Sequence, residues 1–444
     1  MIRMTIDNLF TKKQQQVLNQ ELNNRHWKLM INYGAVRAGK TFVDNFVFLY
    51  EVKHAAEIAR SKKVKYPMYI LAGVSSKSIA NNILNEIANT FGLTFKFDKH
   101  NSFKIKFPGL PAVKIVQTFT GSISGLGAIR GMTSFGAYIN EASLANKEVF
   151  EEIRSRCSTP GARVVCDTNP DVPTHWLKTD YIDNPKHSSE IISNHFKMDD
   201  NTALDPEYVA GQKSTTPSGM FYDRKILGLW VAGEGLVYQD FDKSKNLITR
   251  AEFDKRTADQ QLTYYCGVDW GYEHDTSIVV LADDNQGNTY LVEEHTGNLE
   301  QIMYWVKIAK QVQQDYGYNI PFYCDTARVE HIDKFKENNI NAQYAYKSVL
   351  KGIEEVAGLI KQHKFMAVQE GIQQFLDEVY QYVWDDKMGK PVKEHDHVMD
   401  AVRYAIATRQ WNHEYNQPQN NYDQQDQLLA DKGLIDYPDD VFWE

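Results

Sequence analysis

Through the first 200 residues, short apolar runs alternate with longer stretches whose apolar positions recur at helical spacing, a pattern that predicts a parallel sheet covered by helices. The expected strands are Lys28–Tyr33, Met68–Val74, Val113–Thr118, Gly136–Ile139 and Arg163–Cys166. The pattern weakens between about Asp199 and Leu262, where "DDNTALDPEYVAGQKSTTPSG" is rich in turn formers, so a connecting region is expected there. Alternation resumes at "YYCGVDWG" with a hairpin signal, because Thr276–Ala282 and Tyr290–Glu294 flank "DDNQGN". A last helix is expected over about Asp396–Trp411, followed by a polar, low-complexity segment. The expected organisation is therefore a first domain over 1–200, a connecting region over 201–258, a second domain over 259–411 and an acidic tail over 412–444.

Composition and charge sharpen this picture. A chain of 444 residues is too long for one ordinary core. No apolar run approaches the roughly 18 residues that span a bilayer, and "MIRMTIDNLFTKKQQQ" lacks a signal-peptide core, so a soluble cytosolic protein with no membrane partner is expected. The cysteines, Cys157, Cys166, Cys266 and Cys324, have no metal-ligand spacing and read as small core residues. The net charge of −9 is concentrated from Glu414 to Glu444, where eight acidic residues and one lysine contribute −7, so the body is nearly neutral. Basic clusters at Ser61–Lys65 and Lys96–Phe107 are either phosphate contacts or solvated faces.

Gly34-Ala35-Val36-Arg37-Ala38-Gly39-Lys40-Thr41 matches GxxxxGK[ST] between a strand-like and a helix-like run, the context a phosphate-binding loop requires. Its backbone amides would cradle phosphates, Lys40 would reach the β and γ phosphates, and the Thr41 hydroxyl would hold Mg²⁺. A partner carboxylate is expected at another strand end, and "FGAYINEAS" offers Glu141 to orient the attacking water. Asn140 stands where an Asp is usual, and its amide oxygen could bond a metal-bound water, without the charge. Arg130, in "GSISGLGAIRGMT", could reach a phosphate on a neighbouring subunit, and Thr168 and Asn169 in "VVCDTNPD" are placed to sense the γ-phosphate.

The second half holds a different chemistry. Asp269 follows "YYCGV", Asp325 ends "IPFYC", and Asp396 and Asp400 lie one turn apart on the last helix, with His397 between them. Three acids from separate elements can hold two hard cations, Mg²⁺ or Mn²⁺, for phosphodiester cleavage. Asp396 reads as the helix cap, and His397 as an extra ligand, a water-positioning group or a packed polar neighbour.

Taken in order, "GAVRAGKT", "INEAS", "DTNPD", "GVDWGYEHDTS", "YCDTA" and "HDHVMDAVRYA" resemble the large subunits of tailed-phage terminases, over about Phe10 to Trp411. The resemblance implies an α/β chain, with an N-terminal P-loop ATPase domain of the additional-strand type followed by a ribonuclease-H-like nuclease domain. It places Gly34, Arg37, Ala38, Gly39, Lys40 and Thr41 at ATP, Gln15 or Gln16 at the adenine, Glu141 as the catalytic acid, Arg130 as a trans-acting finger and Thr168-Asn169 as the coupling motif. In the nuclease it implies Asp269, Asp325 and Asp400 as metal acids beside His397, with Lys347 in "KSVLKGIE" contacting a scissile-strand phosphate. The implied cofactors are ATP with Mg²⁺, and two Mg²⁺ or Mn²⁺ in the nuclease. The implied partners are double-stranded DNA, a portal protein, a small terminase subunit and other copies of the chain in a ring, in host cytoplasm; a monomer in free solution stays open. Two other readings remain: an ATP-dependent repair or defence nuclease or helicase, and a nucleotide-switched assembly adaptor without cleavage.

Overall fold

The computed structural model describes residues 9–24, 26–187, 189–385 and 388–416. The chain forms two compact units, Met1–Gly235 with Trp384–Pro391, and Leu236–Val383 with Val392–Glu444.

The first unit is built on seven strands: β1 (Leu29–Gly34), β2 (Met68–Gly73), β3 (Ser102–Ile105), β4 (Val113–Phe119), β5 (Gly136–Ile139), β6 (Arg163–Thr168) and β7 (Ile191–Phe196). They lie in the order β3-β4-β2-β5-β6-β1-β7, parallel throughout except for the edge strand β3. The β6 backbone thus inserts between β1 and β5, which is the additional strand expected of this ATPase class. Side-chain alternation assigns the two faces. Met30, Tyr138 and Val165 pack with Val47 and Phe48 of helix α2 (Lys40–Ser61), which together with α1 (Lys12–Asn23) covers one side. Leu29, Ile31, Val164 and Cys166 pack on the other side against Phe150 and Ile153 of α3 (Lys147–Arg156). A sheet covered on both faces explains why its central strands read as continuous apolar runs.

The second unit has a mixed seven-stranded sheet of β8 (Leu247–Ile248), β9 (Thr263–Asp269), β10 (Thr276–Asp283), β11 (Thr289–Gly297), β12 (Pro321–Cys324), β13 (Asn341–Tyr344) and β14 (Phe365–Val368), in the order β13-β12-β9-β10-β11-β14-β8. The expected hairpin is the antiparallel pair β10 and β11. One face buries Cys266, Val268 and Phe322 under Trp305 and Val306 of α4 (Ile302–Tyr316) and Ile332 and Phe335 of α5 (Val329–Glu337). The last helix, α7 (His397–Asn416), packs beside α6 (Val349–Lys361) and over β9. Its approach is set by Gly267, where a Cβ would overlap the Ala401 carbonyl of α7.

The expected connecting region does not stand apart. Pro206–Thr215 is a helix of the first unit, whereas β8 joins the sheet of the second. The last helix runs five residues past Trp411, and the remainder of the expected tail, 417–444, lies outside the described residues. All four cysteines are free, with Cys166, Cys266 and Cys324 buried. Among the described residues no helix is long and apolar enough to cross a membrane.

Candidate functional site

The glycine-rich loop joins β1 to α2. Gly39 takes the left-handed conformation (φ 84°) immediately before α2, and no side chain caps that helix, so its first-turn amides are left for an anion. Lys40 is buried, and its Nζ donates to the Gly34 and Ala35 carbonyls at 3.0 and 2.6 Å and to Asn169 Oδ1 at 3.0 Å. Burial lowers its pKa to about 8, against the opposing pull of Asp167, Asp44 and Glu141. A cavity of about 500 Å³ opens over this loop, lined by Arg37, Lys40, Thr41, Glu141, Asp167 and Asn169 among others.

Glu141 follows β5 and holds φ at 54°, uncommon for a residue with a side chain. Its N–H donates to Asp167 Oδ1 at 2.9 Å, which fixes that backbone. Burial, then the nearby Asp167, raises its carboxyl pKa, and Lys40 partly offsets them. A carboxyl of raised basicity facing the phosphate loop is suited to orient a water. Thr168 Oγ1 accepts from the Ser143 N–H at 2.9 Å, while Asn169 Oδ1 accepts from Lys40, so the end of β6 and the residue after it touch both the loop that follows Glu141 and Lys40.

Several expectations meet a different geometry. Asn140 presents its amide nitrogen to both oxygens of Asp167, at 2.8 and 3.1 Å, and its amide oxygen accepts from Asn82 Nδ2 at 3.0 Å. A carboxylate only accepts, so the amide must turn its NH₂ toward Asp167, and the oxygen expected to serve a metal-bound water is engaged by Asn82. Of the three glutamines, Gln14 reaches the loop, donating to the Gly39 carbonyl at 2.9 Å. Gln15 donates to the Phe10 carbonyl and Gln16 is exposed beside Lys13. Arg37 lines the cavity as expected but is exposed, and its carbonyl accepts from Asn201 Nδ2 at 2.7 Å. Arg130 is exposed after a short helix and does not line the cavity. Asp167 is the residue that the reading of the sequence missed. The strand runs two residues beyond Cys166, and alternation from Val165 turns Asp167 to the α2 face.

In the second unit Asp269, Asp325 and Asp400 lie close enough for the charges of Asp400 and Asp325 to act on Asp269. Cys324 pairs with Val268 in parallel register, so Asp269 and Asp325 leave adjacent strand ends side by side, and the Asp325 N–H donates to the Val268 carbonyl at 2.9 Å. Helix α7 brings His397 Nδ1 to 3.2 Å from Asp269 Oδ2, with Asp400 one turn along. Asp396 directly precedes the helix, and its carbonyl accepts the Asp400 N–H. Burial raises the pKa of Asp269 to about 7; the His397 hydrogen bond opposes this, and the negative charges of Asp400 and Asp325 add to it. The His397 pKa is raised, first by its bond to Asp269.

Asp325 and Asp400 also face cations: Lys347 Nζ lies 2.7 Å from Asp325 Oδ1, and Arg403 Nη2 lies 2.9 Å from Asp400 Oδ2. No three His, Cys, Asp or Glu among the described residues stand at metal-holding distances. The donor set nonetheless suits a hard divalent ion. It is all carboxylate oxygen, and it carries mutual repulsion.

The fold and these two sites define a P-loop ATPase unit followed by a ribonuclease-H-like unit. Residues 31–245 match the family model "Terminase large subunit, T4likevirus-type, N-terminal", and residues 266–409 match "Terminase RNaseH-like domain". The chain belongs to the terminase large subunit family. Solved structures of the large terminase of a thermophilic bacteriophage are similar along nearly the whole length. The complex with ADP is 25% identical, covers 90% of this chain and 99% of that one, and has a TM-score of 0.71. The complex of the same phage protein with ATP-gamma-S is 25% identical with the same coverage and a TM-score of 0.69. A further crystal form is 24% identical over 89% and 98% of the two chains, with a TM-score of 0.73. No curated protein sequence matches the chain.

Proposed function

We propose that this chain hydrolyses ATP to drive double-stranded viral DNA into a procapsid and cuts the DNA concatemer with its second unit. The observation that carries the reading is the pairing, in one chain of this family, of an intact phosphate loop facing Glu141 with Asp269, on whose carboxyl the charges of Asp400 and Asp325 act. Lys40 would leave its carbonyl partners for the phosphates, and Glu141 would hold the attacking water. Asn169, bonded to Lys40, and Thr168, bonded to the Ser143 amide, would sense the loss of the γ-phosphate and pass it to the Glu141 loop. An arginine acting from a neighbouring subunit must be exposed, as Arg130 is.

In the nuclease, Asp269, Asp325 and Asp400 would hold two divalent ions, Mg²⁺ or Mn²⁺, which activate a water and stabilise the leaving oxygen when bound. His397 would position that water from its place against Asp269. Lys347 would exchange Asp325 for a DNA phosphate. The nearly neutral body suits a motor that must release DNA at every step. A portal protein, a small subunit, a ring of copies and the host cytoplasm are the setting this reading requires.

The test is DNase protection of linear DNA in the presence of matching procapsids, portal and ATP. Protection that requires ATP and is lost in Lys40→Ala supports the motor. ATP turnover and cleavage with no dependence on portal or procapsid would favour a repair or defence enzyme instead.

A further inference from the structure

The carboxylate of Asp167 is the hub of the first unit's site, although it is not on the strand where such an acid is expected. It is buried, and it accepts hydrogen bonds from Thr41 Oγ1 at 2.6 Å, Tyr138 Oη at 3.2 Å, the Asn140 amide at 2.8 and 3.1 Å and the Glu141 N–H at 2.9 Å. Register explains the reach. Asp167 lies opposite Asn32 of β1, so β6 brings a charge one strand nearer the phosphate loop than β5 does. The loop hydroxyl is therefore touched directly.

Two consequences follow from these bonds. Thr41 commits its hydroxyl proton to Asp167, so the lone pairs of its oxygen remain for a cation in the cavity. Asn140 stands within hydrogen-bond distance of Asp167; an Asp at 140 would put two buried carboxylates together, and one would be forced to take a proton. The amide at 140 and the acid at 167 are thus one arrangement, with the charge relocated and the amide donating to it.

We propose that Asp167 supplies the negative charge that steers the divalent cation of the nucleotide, in place of the acid absent at position 140. This rests on the ATPase reading above. Asp167 acts through the Thr41 hydroxyl and through water on the ion, and its bond to the Glu141 N–H ties ion placement to the water-orienting loop.

The test is Mn²⁺ binding to the full chain, followed by electron paramagnetic resonance with and without ADP, so that ADP-independent ions in the second unit cancel. In the wild type, ADP creates an additional bound Mn²⁺. Asp167→Asn should weaken that additional ion about 10- to 100-fold, the usual cost of losing a supporting carboxylate, and the relocated pair Asn140→Asp/Asp167→Asn should restore it. Circular dichroism reports folding in each variant. Unchanged ADP-dependent Mn²⁺ affinity in Asp167→Asn overturns the proposal, as does a loss that the double variant fails to rescue, because Asp167 would then only hold local structure. If the wild type binds no ADP at all, the ATPase reading itself falls, and this inference with it.

Discussion

Gly267→Ala is a sharp test of how the second unit builds its acid cluster. The added methyl would overlap the Ala401 carbonyl oxygen, with the carbonyl carbon at 2.8 Å and the Ala405 Cβ at 2.9 Å. Carbon atoms in ordinary contact stand about 3.5–4.0 Å apart, so α7 must retreat by roughly 1 Å. The obstacle is helix backbone rather than the end of a flexible side chain, so local yielding is poor. Overpacking of this kind costs about 1–3 kcal/mol. On the nuclease reading proposed above the functional cost should be larger, because α7 carries His397 and Asp400, and a misplacement of about 1 Å can cost about 10²-fold in rate. Gly358→Ala is the matched control. It lies within α6, where the nearest atom to a new Cβ is Gln362 Nε2 at 3.9 Å, and it should stabilise by about 0.4–1 kcal/mol. Urea unfolding and Mn²⁺-dependent plasmid nicking measure both effects. A Gly267→Ala protein with the wild-type urea midpoint and nicking rate would refute the claim that this glycine sets the approach of the helix.

Three further outcomes are expected. Lys40→Ala and Glu141→Gln should each lower ATP turnover by about 10²-fold or more, read by phosphate release; turnover at the wild-type rate in either would remove it from the catalytic site. Arg163, buried between Glu21 at 2.7 Å and Glu51 and stacked 4.4 Å from the Trp27 ring, should cost about 3–5 kcal/mol when changed to Ala, since two buried acids lose their cation. A urea-unfolding change under about 1 kcal/mol would contradict this. Finally, in chelator, the second unit should be more stable at pH 5 than at pH 8. Asp269 has a folded pKa of about 7 against an unfolded value near 3.8, so its favourable contribution is complete below the unfolded pKa and is lost as pH rises through 7. That displacement corresponds in full to roughly 4 kcal/mol, of which about 3 kcal/mol falls between pH 5 and pH 8, and His397, also raised, changes in the same direction. Asp269→Asn should flatten that slope; an equally steep profile in the variant would assign the pH dependence elsewhere.

Much of this architecture is legible in periodicity. The strand runs appear within a residue or two of their observed limits at β1, β2, β4 and β5, because a sheet covered on both faces demands uninterrupted apolar residues. The end of β6 is less legible, since its last two residues, Asp167 and Thr168, are polar yet buried, and their partners come from distant chain segments. Period-two alternation continued past Cys166 would have found Asp167. Gln14 was similarly within reach: it lies three and four residues before the buried Val17 and Leu18, on the same helix face, whereas Gln16 points to solvent. The ion pairs of Asp325 with Lys347 and of Asp400 with Arg403, and the close approach at Gly267, depend on tertiary packing that no local pattern reports.

The most direct measurement is plasmid cleavage by the purified full chain in Mg²⁺ and in Mn²⁺, beside Asp269→Ala and Asp400→Ala. Cleavage by the wild type and its loss in both folded variants is the predicted result. Absence of cleavage under both metals, or its persistence in both variants, would contradict the nuclease assignment and leave the second unit without its proposed chemistry.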